Sequence, residues 1–153
     1  MVLKNIEDTR KMNSFNSAHL LRELLVEARS EGRVACGVYH AAQIMEKCPS
    51  SIMLCILPQN HMDDAETHIH SVLIEAFCFD NNIRLLKVDS EEKLSEILNI
   101  PRNSSGRYRQ LDYRCVLIKH PKEVCSKTVE SFIQYYKENY SDAYPQPILE
   151  LPV

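Results

Sequence analysis

Residues 51–57 read SIMLCIL and contain the longest apolar run in the chain. A membrane-spanning helix needs about 20 apolar residues, so this run is too short to cross a bilayer. Its apolar residues are consecutive rather than alternating, which is typical of a strand that is buried on both faces. The stretch therefore predicts a strand in a sheet that is covered by helices on both sides.

Helical and strand patterns alternate on either side of this strand. Helices are predicted from Ser17 to a stop at Gly32, in YHAAQIMEK (39–47), at 64–79, in DSEEKLSEIL (89–98), where Asp89 and Glu92 suggest a capping box, and in KTVESFIQYYKENY (127–140). Strands are predicted in VACGV (34–38), IRLLKV (83–88) and YRCVLI (113–118), and the proline-rich tail is not helical. The alternation predicts an α/β fold. We expect a disordered tail at 1–13 and a single α/β domain at 14–153.

The composition argues against several classes of protein. Three glycines among 153 residues are too few for the phosphate-cradling loops of nucleotide-binding proteins. The charged N-terminus, MVLKNIEDTRKMN, lacks the apolar core of a secretory signal. The six cysteines form no C-x-x-C pair, and four of them lie in apolar stretches: Cys36, Cys55, Cys78 and Cys115. This pattern favours packed thiols of an intracellular protein over a disulfide framework or a Cys–His catalytic pair. We expect no cofactor and no catalytic residue.

Charge is distributed unevenly along the chain. No Lys or Arg occurs between Lys47 and Arg84, a stretch of 36 residues that carries five acids: Asp63, Asp64, Glu66, Glu75 and Asp80. The stretch 101–122 holds six basic residues against one acid, and Tyr108 and Tyr113 lie among its arginines. The sequence therefore predicts one acidic and one basic surface.

Residues 61–70, HMDDAETHIH, combine three histidines with three carboxylates. Asp63 occupies a helix N-cap position with Glu66 three residues later, which indicates an acidic helix start. A metal site would need Asp64 and His68, which share a helix face, with His61 folded over from the loop. The His-Glu-x-x-His pattern is absent, and His70 lies about 200° round the helix from His68. We favour the helix start and expect no metal.

The helix predicted at 64–79 has apolar residues on more than one side. We expect its core-facing stripe to consist of Ala65, Ile69, Val72, Leu73, Ala76 and Phe77. Ile74 and Phe79 lie beside or beyond that stripe and are predicted to be exposed.

Several stretches together resemble the growth-arrest-and-DNA-damage-inducible stress sensors, the Gadd-forty-five family. They are GVYHAAQIMEKCPSSIMLCIL (37–57), IHSVLIEAFCFDNNIRLLKV (69–88), CVLIKHP (115–121) and PILELP (147–152). Their order and spacing match the family over about residues 34–153. We identify the chain as a divergent, invertebrate-type member. The resemblance implies a mixed sheet between helices, the fold of kink-turn-binding ribosomal proteins.

The resemblance also implies a non-enzymatic adaptor in nucleus and cytoplasm that acts in DNA damage, growth arrest and apoptosis. Its implied partners are a MAP kinase kinase kinase, which it activates, proliferating cell nuclear antigen, a cyclin-dependent kinase inhibitor, and the mitotic cyclin-dependent kinase with cyclin B. No membrane partner is implied. The five acids of the 36-residue stretch are the expected partner-binding face. The acidic loop is shorter here than is usual in the family, which puts inhibition of the cyclin-dependent kinase in more doubt than kinase activation.

Self-association is a further property that the resemblance implies, through helices 38–47 and 64–79. The residues expected to form a homodimer are Val38, Tyr39, Ala42, Ile74 and Phe79. The alternative is that the two-sided helix 64–79 is simply packed deeper in the monomer.

Nucleic-acid binding is the alternative function. Kink-turn-binding relatives carry G-x-N-E-x-x-K where this chain reads GVYHAAQ. Gly37 is kept, but Tyr39, His40 and Gln43 replace the Asn, Glu and Lys, which argues against specific kink-turn RNA binding. Looser contact with nucleic acid or phosphate is assigned to the basic loop, through Arg102, Arg107, Arg109 and Arg114. A solvated loop without such a role is the competing interpretation.

Overall fold

A computed structural model describes residues 17–59, 63–98, 113–122, 125–140 and 148–152. Helices α1 to α5 cover 17–30, Val38–Lys47, Ala65–Asp80, Glu91–Leu98 and Lys127–Asn139. Strands β1 to β5 cover Val34–Cys36, Ile52–Pro58, Leu85–Val88, Val116–Lys119 and Ile148–Leu149. The tail predicted at 1–13 lies outside the described residues. Among the helices that are described, none is both long enough and apolar enough to cross a membrane.

The five strands form one mixed sheet in the order β1-β4-β2-β3-β5. Strand β2 runs parallel to β3 and antiparallel to β4, so it hydrogen-bonds to a neighbour along both edges. All seven of its residues are buried, as the unbroken apolar run predicts. The β2–α3–β3 segment is the crossover that joins two parallel strands.

Two helical layers cover the sheet. On one face, α1, α4 and α5 pack together with β2, and the large buried side chains there include Leu24, Leu94 and Phe132. On the other face, α2 and α3 pack against the sheet through Met45, Ile74 and other residues. The predicted α/β fold, a mixed sheet between helices, is confirmed.

Two glycines stand where the backbone needs positive φ. Gly32 has φ 70° and follows the end of α1, where the Arg33 N–H donates to the Ala28 carbonyl at 2.8 Å. Gly37 has φ 108° and joins β1 to α2, with its N–H donating to the Cys115 carbonyl. L side chains rarely adopt these angles, so both turns depend on glycine.

The capping box predicted at Asp89 and Glu92 is wrong. Ser90 fills the capping role, because its hydroxyl accepts from the Lys93 N–H at 3.3 Å. Asp89 instead holds the C-terminal tail: its N–H donates to the Leu149 carbonyl, and its carboxylate accepts from the Leu151 N–H at 2.9 Å. No local sequence pattern predicts this contact, because 62 residues separate Asp89 from Leu151.

The tail contact completes one side of the core. Strand β5 pairs in parallel with β3 at the edge of the sheet, which places Leu149 and Leu151 in the core with 5% and 3% of their surface exposed. The Lys93 ammonium lies 2.8 Å from the Asp89 carboxylate and also donates to the Leu151 carbonyl. Asp89 thus connects β3, α4 and the tail.

We expect Asp89→Ala to lower the free energy of unfolding by about 2 kcal/mol, because the Leu151 N–H loses its acceptor and the tail loses its anchor. Chemical denaturation of the two proteins measures the difference. The matched control is Glu96→Ala on the exposed side of α4, which should change stability by less than about 0.5 kcal/mol. Equal stability of the Asp89 variant and the Glu96 control would show that the tail is held by other contacts.

The same pair of proteins reports on pH. Partial burial raises the pKa of Asp89. The hydrogen bonds from Leu151 and Lys93, together with the Lys93 charge, outweigh this effect, so the pKa lies below its usual value. A lowered pKa means that the carboxylate stabilises the fold above the unfolded value of about 4. This stabilisation is lost as pH falls through the folded pKa. The stability difference between wild type and Asp89→Ala should therefore shrink below about pH 4.

Candidate interaction surface

The outer face of α3 is apolar and exposed. Its large side chains are Ile69, Val72, Leu73 and Phe79, which are 56%, 49%, 63% and 85% exposed. Ala65 and Ala76 are exposed as well. At 100° per residue these six positions fall on one side of the helix. We call them the outer face of α3.

The predicted core stripe of α3 is therefore wrong. The side that meets the sheet carries Thr67, Ser71, Ile74 and Cys78, all buried and also spaced at three and four residues. Thr67 satisfies its hydroxyl by donating to the Asp64 carboxylate at 2.8 Å. Small side chains on this side suit close approach of the helix to the sheet. Of the large apolar residues in the predicted stripe, Ile69, Val72 and Leu73 lie on the opposite side, whereas Phe77 is half-buried and packs against the core.

Of the residues predicted for self-association, some are buried in the structure and others are exposed. Val38 and Ile74 each have 8% of their surface exposed and belong to the core beneath α2 and α3. Their predicted exposure is wrong, because Val38 points inward from the first turn of α2 and Ile74 lies on the sheet side of α3. Tyr39, Ala42 and Phe79 are exposed, as expected for surface residues.

The outer face could have been found from one signal in the sequence. The helix between the two parallel strands has apolar residues on more than one side, yet a crossover helix has one face on the sheet. One of its apolar sides must then face away from the sheet. Periodicity alone does not say which side this is.

The five predicted acids do not form one continuous face. Asp63, Asp64 and Glu66 lie together at the start of α3 and are exposed. Asp80 lies at the other end of the helix, about 24 Å away for 16 residues. Glu75 forms an ion pair with Lys87 on β3 at 3.2 Å. The acidic surface is thus a cluster at the N-terminal end of α3.

Asp64, rather than Asp63, is the N-cap residue of α3. The hydrogen bond from the Thr67 hydroxyl is the main reason why the pKa of Asp64 lies below its usual value, with smaller contributions from the backbone N–H groups of Glu66 and Thr67 and from the Arg114 charge. The carboxylate therefore stays charged at neutral pH. Because it is committed to the helix start, Asp63 and Glu66 are the free members of the cluster.

Of the four arginines predicted to contact nucleic acid or phosphate, Arg114 lies within the described residues, whereas Arg102, Arg107 and Arg109 lie outside them. Arg114 lies near Asp64 and lines a small cleft with Thr67 and His70. It is therefore beside the acidic start of α3. This position places it within reach of acidic side chains of its own chain.

The structure also locates residues considered for metal binding and for cysteine chemistry. His61, which the metal interpretation needs, lies outside the described residues. The described residues contain no group of three or more His, Cys, Asp or Glu placed to hold a metal.

Cys55 and Cys115 have sulfurs 3.9 Å apart in the core, and the pKa of Cys55 is raised by hydrogen bonds from Cys115 and Cys78 and by burial. A buried thiol with a raised pKa is a packing residue rather than a nucleophile.

The kink-turn motif position lies at the start of α2. Gly37 is the N-cap residue of α2, while Tyr39, His40 and Gln43 are exposed. Tyr39 has 76% of its surface exposed. The exposed side chains here offer an aromatic ring, an imidazole and an amide in place of the Asn, Glu and Lys of the RNA-binding motif.

Comparison with known proteins agrees with this structure. The family model described as ribosomal protein L7Ae/L30e/S12e/Gadd45 family matches residues 20–118. Growth arrest and DNA damage-inducible protein GADD45 alpha of Cricetulus griseus is 32% identical over 156 residues, which cover 95% of this chain and 93% of the relative. GADD45 beta of Bos taurus is 33% identical over 114 residues, which cover 73% and 70%.

A solved structure supports the fold independently. The Giardia lamblia 15.5kD RNA binding protein superposes with a TM-score of 0.59 at 13% identity, covering 80% of this chain and 89% of that one. At this identity the likeness concerns the fold alone. The superposition confirms the predicted fold class. The chain belongs to the ribosomal protein L7Ae/L30e/S12e/Gadd45 family and is a divergent member of its Gadd45 branch, whose role in the stress response is non-enzymatic.

Proposed function

We propose that this protein is a homodimeric stress-response adaptor that binds and activates a MAP kinase kinase kinase. The single observation that carries the proposal is the outer face of α3, four large apolar side chains exposed on one helix. Soluble proteins rarely expose a contiguous apolar patch of this kind unless it is an interface. Family membership supplies the stress-response role.

The proposed occupant of the outer face is a second copy of the chain. A twofold dimer would place the same face of α3 on both sides of the interface, so each copy covers the apolar side chains of the other. Tyr39 and Ala42 of α2, which are exposed, would extend the contact. Glu66 and Asp80 flank the apolar residues at the two ends of α3 and would remain at the rim.

The proposed docking site for the kinase is the acidic cluster at the start of α3. Asp63 and Glu66 are exposed there, and the 36 residues between Lys47 and Arg84 contain no Lys or Arg, so Arg114 beside Asp64 is the cation already described near this cluster. Such a surface suits a basic regulatory segment. Binding that segment only in its released state would shift the kinase population toward the active form.

Other interactions remain part of the proposal. They are binding to proliferating cell nuclear antigen, to a cyclin-dependent kinase inhibitor and to the mitotic kinase with cyclin B, with residence in nucleus and cytoplasm. Affinity capture from stressed cells, with the Leu73→Glu variant beside the wild type, would separate partners that need the dimer from those that do not.

We expect Leu73→Glu to weaken the homodimer about a thousandfold, because the substitution places a charge on the interface twice and each copy costs about 2 kcal/mol. Sedimentation velocity over a range of concentrations measures the shift. Val26→Glu is the matched control, since Val26 is an exposed apolar residue on α1, on the other side of the sheet. Ile74→Glu is a second control, which should unfold the monomer because Ile74 is buried. A wild type that stays monomeric at millimolar concentration would contradict the dimer.

We expect Asp63→Lys/Glu66→Lys to slow association with the kinase regulatory segment by about tenfold at low salt, with little change in dissociation. Asp64 is left in place so that the helix cap is intact. Surface plasmon resonance measures both rates, with Glu96→Lys/Glu138→Lys as the control for net charge. Wild-type association by the double variant would exclude the acidic cluster as the docking site.

Salt separates the two proposed surfaces. Screening should weaken kinase binding, because opposite charges attract there. It should leave the homodimer intact or strengthen it, because the rim of both copies is acidic.

A further inference from the structure

Two arginines and a histidine lie near the end of the sheet where β1, β2 and β3 begin and β4 ends. Arg33 precedes β1, Arg84 precedes β3 and His120 follows β4. Backbone hydrogen bonds fix their places, since Lys119 N–H donates to the Arg33 carbonyl and His120 N–H to the Ser51 carbonyl. With strand order β1-β4-β2-β3, the backbones of Arg33 and Arg84 are about 14 Å apart, with His120 between them. Gly37 and Arg114 lie at the opposite end of the sheet.

Arg33 is buried with one donor group unused. The residue is 3% exposed, its Nε donates to the Glu31 carboxylate at 2.6 Å, and its Nη1 donates to the Lys119 carbonyl at 3.0 Å. Its Nη2 is buried and has no hydrogen-bond partner. Buried guanidinium donors in folded proteins are nearly always paired. The Arg33 Nη2 is therefore available to donate a hydrogen bond to an acceptor outside the described residues.

The surroundings of Arg33 are positive. The Arg84 Nη1 makes a long hydrogen bond of 3.4 Å to the Met53 carbonyl, which leaves most of its donors available. Burial of part of the His120 ring, and then the charges of Arg84 and Arg33, lower the pKa of His120 below its usual value. Both guanidinium groups thus act on one imidazole. Glu31, the acid that pairs with Arg33 at 2.6 Å, has 46% of its side chain exposed.

We propose that this end of the sheet binds an oxyanion with the chemistry of a phosphate monoester, held by Arg33, Arg84 and His120. Guanidinium groups present several N–H donors in one plane, which match the oxygens of phosphate. An oxygen that reaches the Arg33 Nη2 satisfies its unused donor, and the anion offsets the repulsion between the two guanidinium groups. The site is separate from the dimer and kinase surfaces proposed above, and it does not depend on them.

The test is a titration of the ¹⁵N-labelled protein with inorganic phosphate at constant ionic strength, followed by ¹H–¹⁵N NMR. We expect saturable shifts at Arg33, Arg84 and residues 118–120, together with a rise in the pKa of His120, because a bound anion favours the imidazolium. Arg84→Gln and His120→Gln should each weaken binding about tenfold. Both variants leave the Arg33 contact with Lys119 intact, so the fold is kept. Arg22→Gln, an exposed arginine on α1, is the matched control.

Acetate, titrated in the same way, identifies the preferred oxyanion. Saturation by phosphate with weaker saturation by acetate supports the phosphate assignment, and the reverse order overturns it in favour of a carboxylate. Shifts that rise linearly with phosphate, that chloride reproduces at equal ionic strength, or that are unchanged in both Arg84→Gln and His120→Gln overturn the site.

Discussion

The structure depends on one constraint: strand β2 is buried on both faces and hydrogen-bonded along both edges. A strand of this kind needs a helical layer on each side of the sheet. Its parallel partner β3 must be reached by a crossover, and that crossover is α3. Strand β2 therefore determines where α3 lies on the sheet. The same geometry determines which side of α3 faces outward. The apolar surface of the molecule is a consequence of how its centre is built.

The energetics of α3 favour association of moderate strength. Its sheet side uses small residues, Thr67 and Ser71, while four large apolar residues face outward. Covering a large apolar side chain is worth about 1.5–3 kcal/mol when it was fully exposed. The outward residues are about half to four-fifths exposed, so two copies offer on the order of 10 kcal/mol. Association itself costs about 4–15 kcal/mol, so a concentration-dependent dimer is the expected balance.

The sequence predicted the fold well, because alternation of strands and helices and the unbroken apolar run at β2 are local patterns. It failed where the answer depended on distant contacts. Ile74 and Leu73 are adjacent and both apolar, and only the sheet decides that Ile74 is buried and Leu73 exposed. The spacing of Asp89 and Glu92 predicts a capping box, whereas the contact of Asp89 with Leu151, 62 residues away, leaves no local pattern. The burial of Arg33 cannot be predicted either, since a lone buried arginine leaves no mark on composition or spacing.

The most direct test of the central claim is solvent paramagnetic relaxation of ¹³C-labelled methyl groups at several protein concentrations. The Ile69, Val72 and Leu73 methyls should be relaxed strongly at low concentration and become protected as concentration rises. The Val26 methyls on α1 should stay accessible throughout, and those of Leu94 in the core should stay protected. Methyls on the outer face of α3 that remain equally accessible at every concentration would contradict the claim that this face is a self-association interface.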